Sequence, residues 1–316
     1  MSFIRYPHLE RFGNTGVQDI EFGVTHIFPK LDGTNASVWV EGPQEPNENI
    51  GRPWYLVKAG SRNRVLSLES DNAGFLQWIE KEIHYKGTQP HNVYSFLNKY
   101  PKYILYGEWL VPHTIKNYRE DAWRRFWIFD VYDRDSGKFL PYEVYQPMLE
   151  QYRLDYIPCI KIFKNGSYDN FLHEAQNNAG FLLPQGAKPE GIVIKNYDWT
   201  NKHQQVTWAK IVLNEFKDEF HKAMGPSVGE GKSPAQVICD FACTPHLIEK
   251  EYAKIANHEH GWSSHYIPRL LHTVFYCVVT EELWDGLKKI NYGSVNFQEL
   301  KALCIQKVKQ VKPEIF

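Results

Sequence analysis

The sequence has few cysteines, almost no net charge and no long apolar run. Five cysteines are an odd number in 316 residues, so we expect reduced thiols rather than a disulfide framework. The longest apolar run, residues 274–279, falls far short of the roughly 20 residues that span a bilayer. Charges interrupt the start, MSFIRYPHLER, where a signal peptide would be apolar. We therefore expect an intracellular, cytoplasmic protein that does not enter a membrane; a phage or virus remains one open source.

The balance of charge gives no general attraction for a polyanion. Lysine and arginine number 36 against 37 acidic residues, for a net charge of -1. An anionic partner would therefore have to bind local clusters of basic residues, and each cluster could equally be ordinary solvated surface. The two clusters are Arg52, Lys58, Arg62 and Arg64, and Lys116, Arg119, Arg124 and Arg125.

The pattern of apolar residues divides the chain into two domains. As far as about residue 216, short β-branched and aromatic runs predict strands, and NAGFLQWIEKEIH from residue 72 predicts a helix. The predicted strands are ASVWV from 36, WYLVKA from 54, YILYGEWL from 103, FWIFDV from 126, GIVIK from 191 and VTWAKIV from 206. We predict an α+β domain with antiparallel sheets over residues 1–224.

Beyond the linker at 225–234 the apolar spacing becomes helical. PHLIEKEYAKIA, YIPRLLHTVFYCVVTEELWDGLKKI and NFQELKALCIQKVKQV each repeat at the period of an α-helix. We predict a small, all-helical C-terminal domain over residues 225–316. No sustained heptad of apolar residues indicates a coiled-coil dimer, so we expect a monomer.

Several predicted strands contain charged residues that would need partners if buried. Glu108 lies in YGEW and Asp130 in FDV, both among apolar and aromatic neighbours. EGIVIK begins with Glu190 and ends with Lys195, and WAKIV contains Lys210. Lys30 stands in the polar turn KLDGTN. Each residue alone could form a cross-strand ion pair or, for Lys30, a solvated hairpin tip.

Taken in order, these segments resemble the motif series of the covalent nucleotidyltransferases, the superfamily of ATP-dependent ligases and messenger-RNA capping enzymes. KLDGTN is similar to the nucleotidyl-lysine motif, and YGEW, FDVY, EGIVIK and WAKIV follow as the later motifs. The resemblance covers most of residues 25 to 220 and implies a nucleotidyltransferase domain, an ATP-grasp-like ligase fold.

The resemblance implies a role for each motif residue. Lys30 would attack the α-phosphate of ATP, with Lys195, Lys210 and bound Mg²⁺ (or Mn²⁺) lowering its pKa and stabilising the phosphate charge. Glu190 and Glu108 would hold the metal ion, and Glu108 also the ribose. Phe129 would stack on adenine. Arg62 would contact the ribose or a phosphate.

Helices after the fifth motif, in place of an OB-fold, are similar to the type 2, duplex-sealing branch of the RNA ligases. Asn35 and the segment GSRNRVLSLES strengthen that similarity. It implies RNA ends as partner, in a nicked duplex or a splinted pair, joined 3′-OH to 5′-phosphate. We expect the RNA-binding residues to be Asn35, Arg62, Arg64, Lys116 and Arg119.

Strand alternation gives two further expectations. Phe129 should share a face with Trp127 and Val131, and Asp130 should point the other way. Glu190 and Lys195 are five residues apart, so either Glu190 lies at the mouth of its strand or a bulge intervenes.

Two departures from the family pattern keep other readings open. Pro29 lacks the acceptor that precedes the nucleophile in this branch, and Val212 replaces a second basic residue. A small DNA ligase and a non-sealing module that binds nucleotide or RNA ends remain alternatives. Cys239 and Cys243 lack the usual zinc pairing, with His246, His258 and His260 scattered nearby, and we take them as helical residues.

Overall fold

The computed structural model describes residues 3–44, 54–84, 92–112, 118–213 and 232–316. Lys116, the predicted boundary at 224 and residues 225–231 of the predicted linker at 225–234 lie outside these residues. The described chain separates into two compact units. Residues 3–111 and 118–213 form the first, and residues 232–316 with Pro112 belong to the second.

The described residues of the first unit form ten strands in two five-stranded sheets. The strands are β1 (Leu9–Arg11), β2 (Val24–Pro29), β3 (Thr34–Gln44), β4 (Trp54–Ser61), β5 (Tyr103–Trp109), β6 (Phe126–Asp133), β7 (Lys138–Phe139), β8 (Lys161–Lys164), β9 (Gly191–Lys195) and β10 (Trp208–Val212). One sheet has the order β1-β10-β9-β2-β8 and the other β4-β3-β5-β6-β7. All pairings are antiparallel except β1 with β10. The predicted α+β class with antiparallel sheets is confirmed.

The two sheets pack against each other through an aromatic core. Phe28 of β2 and Trp208 of β10 share this core with Trp39 of β3 and Tyr106 of β5. Because strand side chains alternate, the neighbours two positions along, such as Lys30 and Lys210, follow the same inner face. The cleft between the sheets is therefore where charged strand residues can meet.

Helices cover the other face of the second sheet. These helices are α1 (Phe75–His84), α2 (Val93–Lys99) and α3 (Tyr142–Gln151), whereas α4 (Tyr168–Asn177) packs on β9 and β10 of the first sheet. Phe75, Phe96 and Tyr145, from the first three helices, bury their rings against Val38 and Ile128 of the sheet. This layer holds the second sheet in place behind the cleft.

A bulge in β6 overturns the predicted alternation around Phe129. Tyr106 pairs with Asp130 whereas the next residue, Gly107, pairs with Ile128, so Phe129 is an extra residue on β6. Val131 consequently packs in the core behind the sheet, while Phe129 lies on the cleft side. The prediction that Phe129 and Val131 share a face was wrong, because a one-residue bulge inverts every later side chain.

The second unit is helical. Its helices are α5 (Pro234–Ala242), α6 (Pro245–His258), α7 (Ile267–Cys277), a π-helical turn at Val278–Glu282, α8 (Leu283–Lys289) and α9 (Phe297–Val311). Side chains of Ser233, Thr244 and Asn296 accept backbone N–H groups at the starts of α5, α6 and α9. Among the described residues, no helix is both long and apolar enough to cross a lipid bilayer.

Candidate active site

Lys30 lies directly after β2, at the end of the cleft where β9 begins. Its backbone N–H donates to the Gly191 carbonyl at 3.0 Å, which continues the β2–β9 pairing past Pro29. Its Nζ donates to Glu190 Oε1 at 2.5 Å, and both side chains are largely buried, at 19% and 12% exposed. The sequence-predicted nucleophile and metal-binding carboxylate are therefore in direct contact.

Gly191 makes that contact possible. Its φ is +149°, a conformation that other residues rarely adopt, and an added Cβ would lie 2.0 Å from the Ile211 carbonyl oxygen. β9 starts at this glycine, so Glu190 lies at the mouth of the strand, outside its alternation. This placement accounts for the odd spacing between Glu190 and Lys195, both of which reach the cleft.

Glu108 closes the loop that follows Lys30. Its Oε1 accepts the Gly33 N–H at 2.8 Å, and a Cβ at Gly33 would lie only 2.8 Å from the Glu108 side chain and from the Trp109 carbonyl oxygen. Asn35 is the cross-strand partner of Glu108, so the two side chains share one face of the second sheet. The hydrogen bond from Gly33 to Glu108 thus holds the KLDGTN segment against β5.

Lys195 and Asp130 form a buried ion pair across the two sheets. Lys195 Nζ is 2.8 Å from Asp130 Oδ2, with side-chain exposures of 2% and 0%, and it donates to the Phe129 carbonyl at 2.6 Å. Tyr6 also donates to Asp130, as does Tyr197 at 3.3 Å. Burial lowers the pKa of Lys195 and raises that of Asp130, and their mutual attraction opposes both shifts.

Phe129 and Lys210 occupy less buried parts of the cleft. The Phe129 ring lies 4.8 Å from that of Tyr6, and Lys195 Nζ is 5.5 Å from its centre. Lys210, in β10, is the register partner of Val193 in β9 and is half-buried. Val212 is the partner of Gly191, so it stands beside the start of β9, where a second basic residue would also face the cleft.

Tyr118 is a site residue that sequence reasoning missed. Its buried hydroxyl accepts the Asp32 backbone N–H at 2.6 Å. Burial, and then the carboxylates of Asp32, Glu190 and Glu108, raise the pKa of Tyr118 well above its usual value. The hydroxyl therefore lies among three acids of the cleft and stays protonated there. In the sequence Tyr118 lies among basic residues and outside the recognised motifs, so no local pattern indicates that it belongs to the site.

The predicted RNA-binding arginines have varied surroundings. Arg64 is bound by its own loop, donating to the carbonyl and hydroxyl of Ser70 at 2.5 and 2.6 Å. Arg119 pairs with Asp121 at 3.2 Å on the exposed surface. Arg62 is half-buried in the same turn as Arg64. These placements leave their RNA-binding role a prediction.

The donor set at the Lys30 end of the cleft suits a hard divalent ion. Glu190 Oε2 is buried without a hydrogen-bond partner in the described chain, and Glu108 lies on the facing strand. Carboxylate oxygens are the ligands that Mg²⁺ and Mn²⁺ prefer. No group of three potential ligands meets in this cleft among the described residues, so further oxygens would come from phosphate or water.

A family model described as RNA ligase matches residues 26–212, which include every motif of the cleft. The match covers more than half of the chain, and the protein belongs to the RNA ligase family. No curated protein matches the sequence.

Solved structures of the RNA ligase of Naegleria gruberi are similar at low identity. A variant with ATP and Mn has 20% identity and a TM-score of 0.47, covering 69% of this chain and 59% of that one. The enzyme with PPi has 21% identity and a TM-score of 0.47, covering 71% and 60%. A variant with AMP and Mn has 19% identity and a TM-score of 0.49, covering 69% and 59%. The chain thus spans about three-fifths of these solved chains.

Proposed function

We propose that this RNA ligase uses ATP to join an RNA 3′-hydroxyl to a 5′-phosphate through a Lys30–AMP intermediate. Lys30 Nζ attacks the α-phosphorus, a P–N bond forms, and the bond to pyrophosphate breaks. AMP then passes from Lys30 to the RNA 5′-phosphate. Finally the 3′-hydroxyl displaces AMP and forms the phosphodiester. Three transfers at one phosphorus-binding site explain why a single cleft carries all five motifs.

The contact between Lys30 Nζ and Glu190 Oε1, at 2.5 Å, is the observation that carries the proposal. An amine attacks only after losing a proton, and Glu190 Oε1 is the adjacent acceptor for it. Gly191, whose φ of +149° and close approach to Ile211 exclude a side chain, begins β9 directly after Glu190. A lysine held against a carboxylate inside a cleft is positioned for chemistry rather than for solvation.

The facing carboxylates define where the metal and nucleotide would bind. Glu190, through its second oxygen, and Glu108 would hold Mg²⁺ or Mn²⁺ together with phosphate oxygens, and the ion would neutralise the charge that develops on the α-phosphate. Lys210 would supply a further cation from β10.

We infer a positioning role for Lys195. Its amine is occupied by Asp130 and by the Phe129 carbonyl, so it fixes the backbone of the bulge that presents the Phe129 ring. That ring would stack on adenine. Adenine selectivity would then rest on this platform and on neighbouring backbone groups, because Pro29 is paired with Ile192 and faces away from the cleft.

Retention of label from ATP carrying radioactive α-phosphate tests the intermediate. Denatured wild-type protein should keep the label and Lys30→Ala should keep none. Lys164→Ala, a matched change of an exposed strand lysine, should keep all of it. If wild-type protein supplied with ATP and Mg²⁺ or Mn²⁺ retained no label, the proposed intermediate would be refuted. The protein would then be interpreted as a non-sealing module that binds nucleotide or RNA ends.

The substrate we propose is a nicked duplex or splinted RNA, bound with help from Asn35 and Arg62. The helical second unit agrees with the duplex-sealing branch of the family. Matched nicked duplexes of RNA and DNA test it, since A-form shape and the 2′-hydroxyl distinguish them. Faster sealing of the DNA nick would favour a small DNA ligase. Binding should also weaken steeply with added salt, because phosphate contacts release counterions.

A further inference from the structure

Three of the five cysteines meet at one point inside the helical unit. Cys239 and Cys243 are one helical turn apart, and the Cys243 N–H still donates to the Cys239 carbonyl at 2.9 Å, so both thiols lie on one face of α5. Cys304 reaches them from α9, which packs against α5. All three are fully buried, and their sulfur atoms lie within 4.8 Å of one another.

We propose that Cys239, Cys243 and Cys304 bind one soft divalent metal ion of the zinc type. The sulfur spacing supports a single ion, since Zn–S bonds of about 2.3 Å place sulfur ligands roughly 3.8–4.0 Å apart. Thiolates select soft ions over the hard ones suited to the carboxylates of the ligase cleft. Three protein ligands with a small exogenous fourth, such as water, complete a tetrahedral ion.

The thiols are already arranged around a shared centre. Their sulfur atoms converge in the buried core where α5 and α9 meet, with Cys304 approaching from the opposite helix. Binding would replace three S–H bonds by three metal–sulfur bonds and release three protons to solvent.

The ion would join the first and last helices of the unit. α5 and α9 are about 60 residues apart in sequence, and Ile238, Leu300 and Val308 are among the buried side chains of the core that they share. Fewer than 100 residues make a small core, for which metal binding contributes directly to folding. The site is structural and separate from the chemistry proposed at Lys30.

Cobalt titration of the full chain provides the direct test. Under a phosphine reductant, Co²⁺ should give a saturable sulfur-to-metal charge-transfer band at one equivalent, and one equivalent of Zn²⁺ should abolish it. Zn²⁺ should also raise the melting temperature of the helical unit by more than about 5 °C. Protein that gives no charge-transfer band and retains no zinc overturns the proposal, as does a Cys239–Cys243 disulfide in freshly purified protein.

Matched cysteine variants locate the ligands. Cys304→Ala and Cys239→Ala should lose the band, and Cys277→Ala and Cys159→Ala should keep it, since neither of these belongs to the group. Equal binding by Cys304→Ala and wild type would place the metal elsewhere and refute the assignment. ATP labelling of Lys30 should persist in all four variants, so this result is independent of the ligase proposal.

Discussion

The two-sheet unit and the helical unit bury different kinds of polar group. Between the sheets, Lys195 and Asp130 form an ion pair at 2% and 0% exposure, and Lys30 meets Glu190 nearby. In the helical unit three thiols meet in the core, and the ion pairs are less fully buried than Lys195 with Asp130: Lys312 and Glu249 are 11% and 17% exposed, and Arg269 and Glu259 are 46% and 24% exposed. Burying charge is costly, and the fully buried pair lies in the cleft where we propose that a charged substrate binds.

The largest expected effect tests the glycine on which the cleft depends. Gly191→Ala places a Cβ 2.0 Å from a backbone oxygen, so we expect a loss of about 5 kcal/mol or more in the free energy of unfolding. Glu190 would also leave Lys30, abolishing ATP labelling. Gly180→Ala, with open space around it, is the control for chemical denaturation and labelling. A stable, fully labelled Gly191→Ala protein would contradict this account of the site.

Removing one member of the buried ion pair comes next. Lys195→Met leaves Asp130 charged and buried, and should cost about 3–5 kcal/mol by urea unfolding. Lys195→Met combined with Asp130→Leu should recover much of that loss, while ATP labelling stays low because the Phe129 bulge is no longer fixed. If the double variant were as unstable as the single one, uncompensated charge would not be the cause.

A substitution in the helical core should destabilise the helical unit without changing the ATP labelling of Lys30 in the first unit. Leu300→Ala empties a fully buried position of α9 and should destabilise the helical unit by about 2–5 kcal/mol. Lys30 labelling should remain, because the cleft is built within the first unit. Lys301→Ala, at an exposed neighbouring position, is the control. Parallel loss of helical stability and labelling would show that the units do not act separately.

The smallest effect concerns acid stability of the helical unit. The hydrogen bond from His258 lowers the pKa of Glu259 against the opposing effect of burial, and Arg269 lowers it further. The stabilisation is therefore present above the unfolded pKa, about 4.3, and is lost as pH falls through the lower folded value. Glu259→Gln should remove less than about 1 kcal/mol at neutral pH and nothing below the folded pKa. Urea midpoints measured from neutral to acidic pH check this, and an unchanged difference in acid would contradict it.

Much of the fold and the chemistry-bearing residues could be predicted from short patterns. Strands such as β5 and β9 follow from β-branched and aromatic runs, and α9 from its helical spacing, because these patterns are local. Four strands were not predicted: β1, β7 and β8, whose two to four residues carry little periodicity, and β2, whose six residues VTHIFP include a histidine and end in proline. The bulge at Phe129 was not predicted either, because it depends on how β6 pairs with β5.

The amino-acid sequence by itself determined the order of motifs, the change from strands to helices, and the presence of acids and lysines inside apolar strands. Only the tertiary structure decided which of these meet: Lys30 with Glu190, Lys195 with Asp130, Tyr118 among the acids, and Cys304 with Cys239. Apart from Tyr118 and Glu108, the residues that meet are separated by more than 60 positions in sequence, and no local preference encodes such contacts. They arise when sheets and helices pack and bring buried polar groups together.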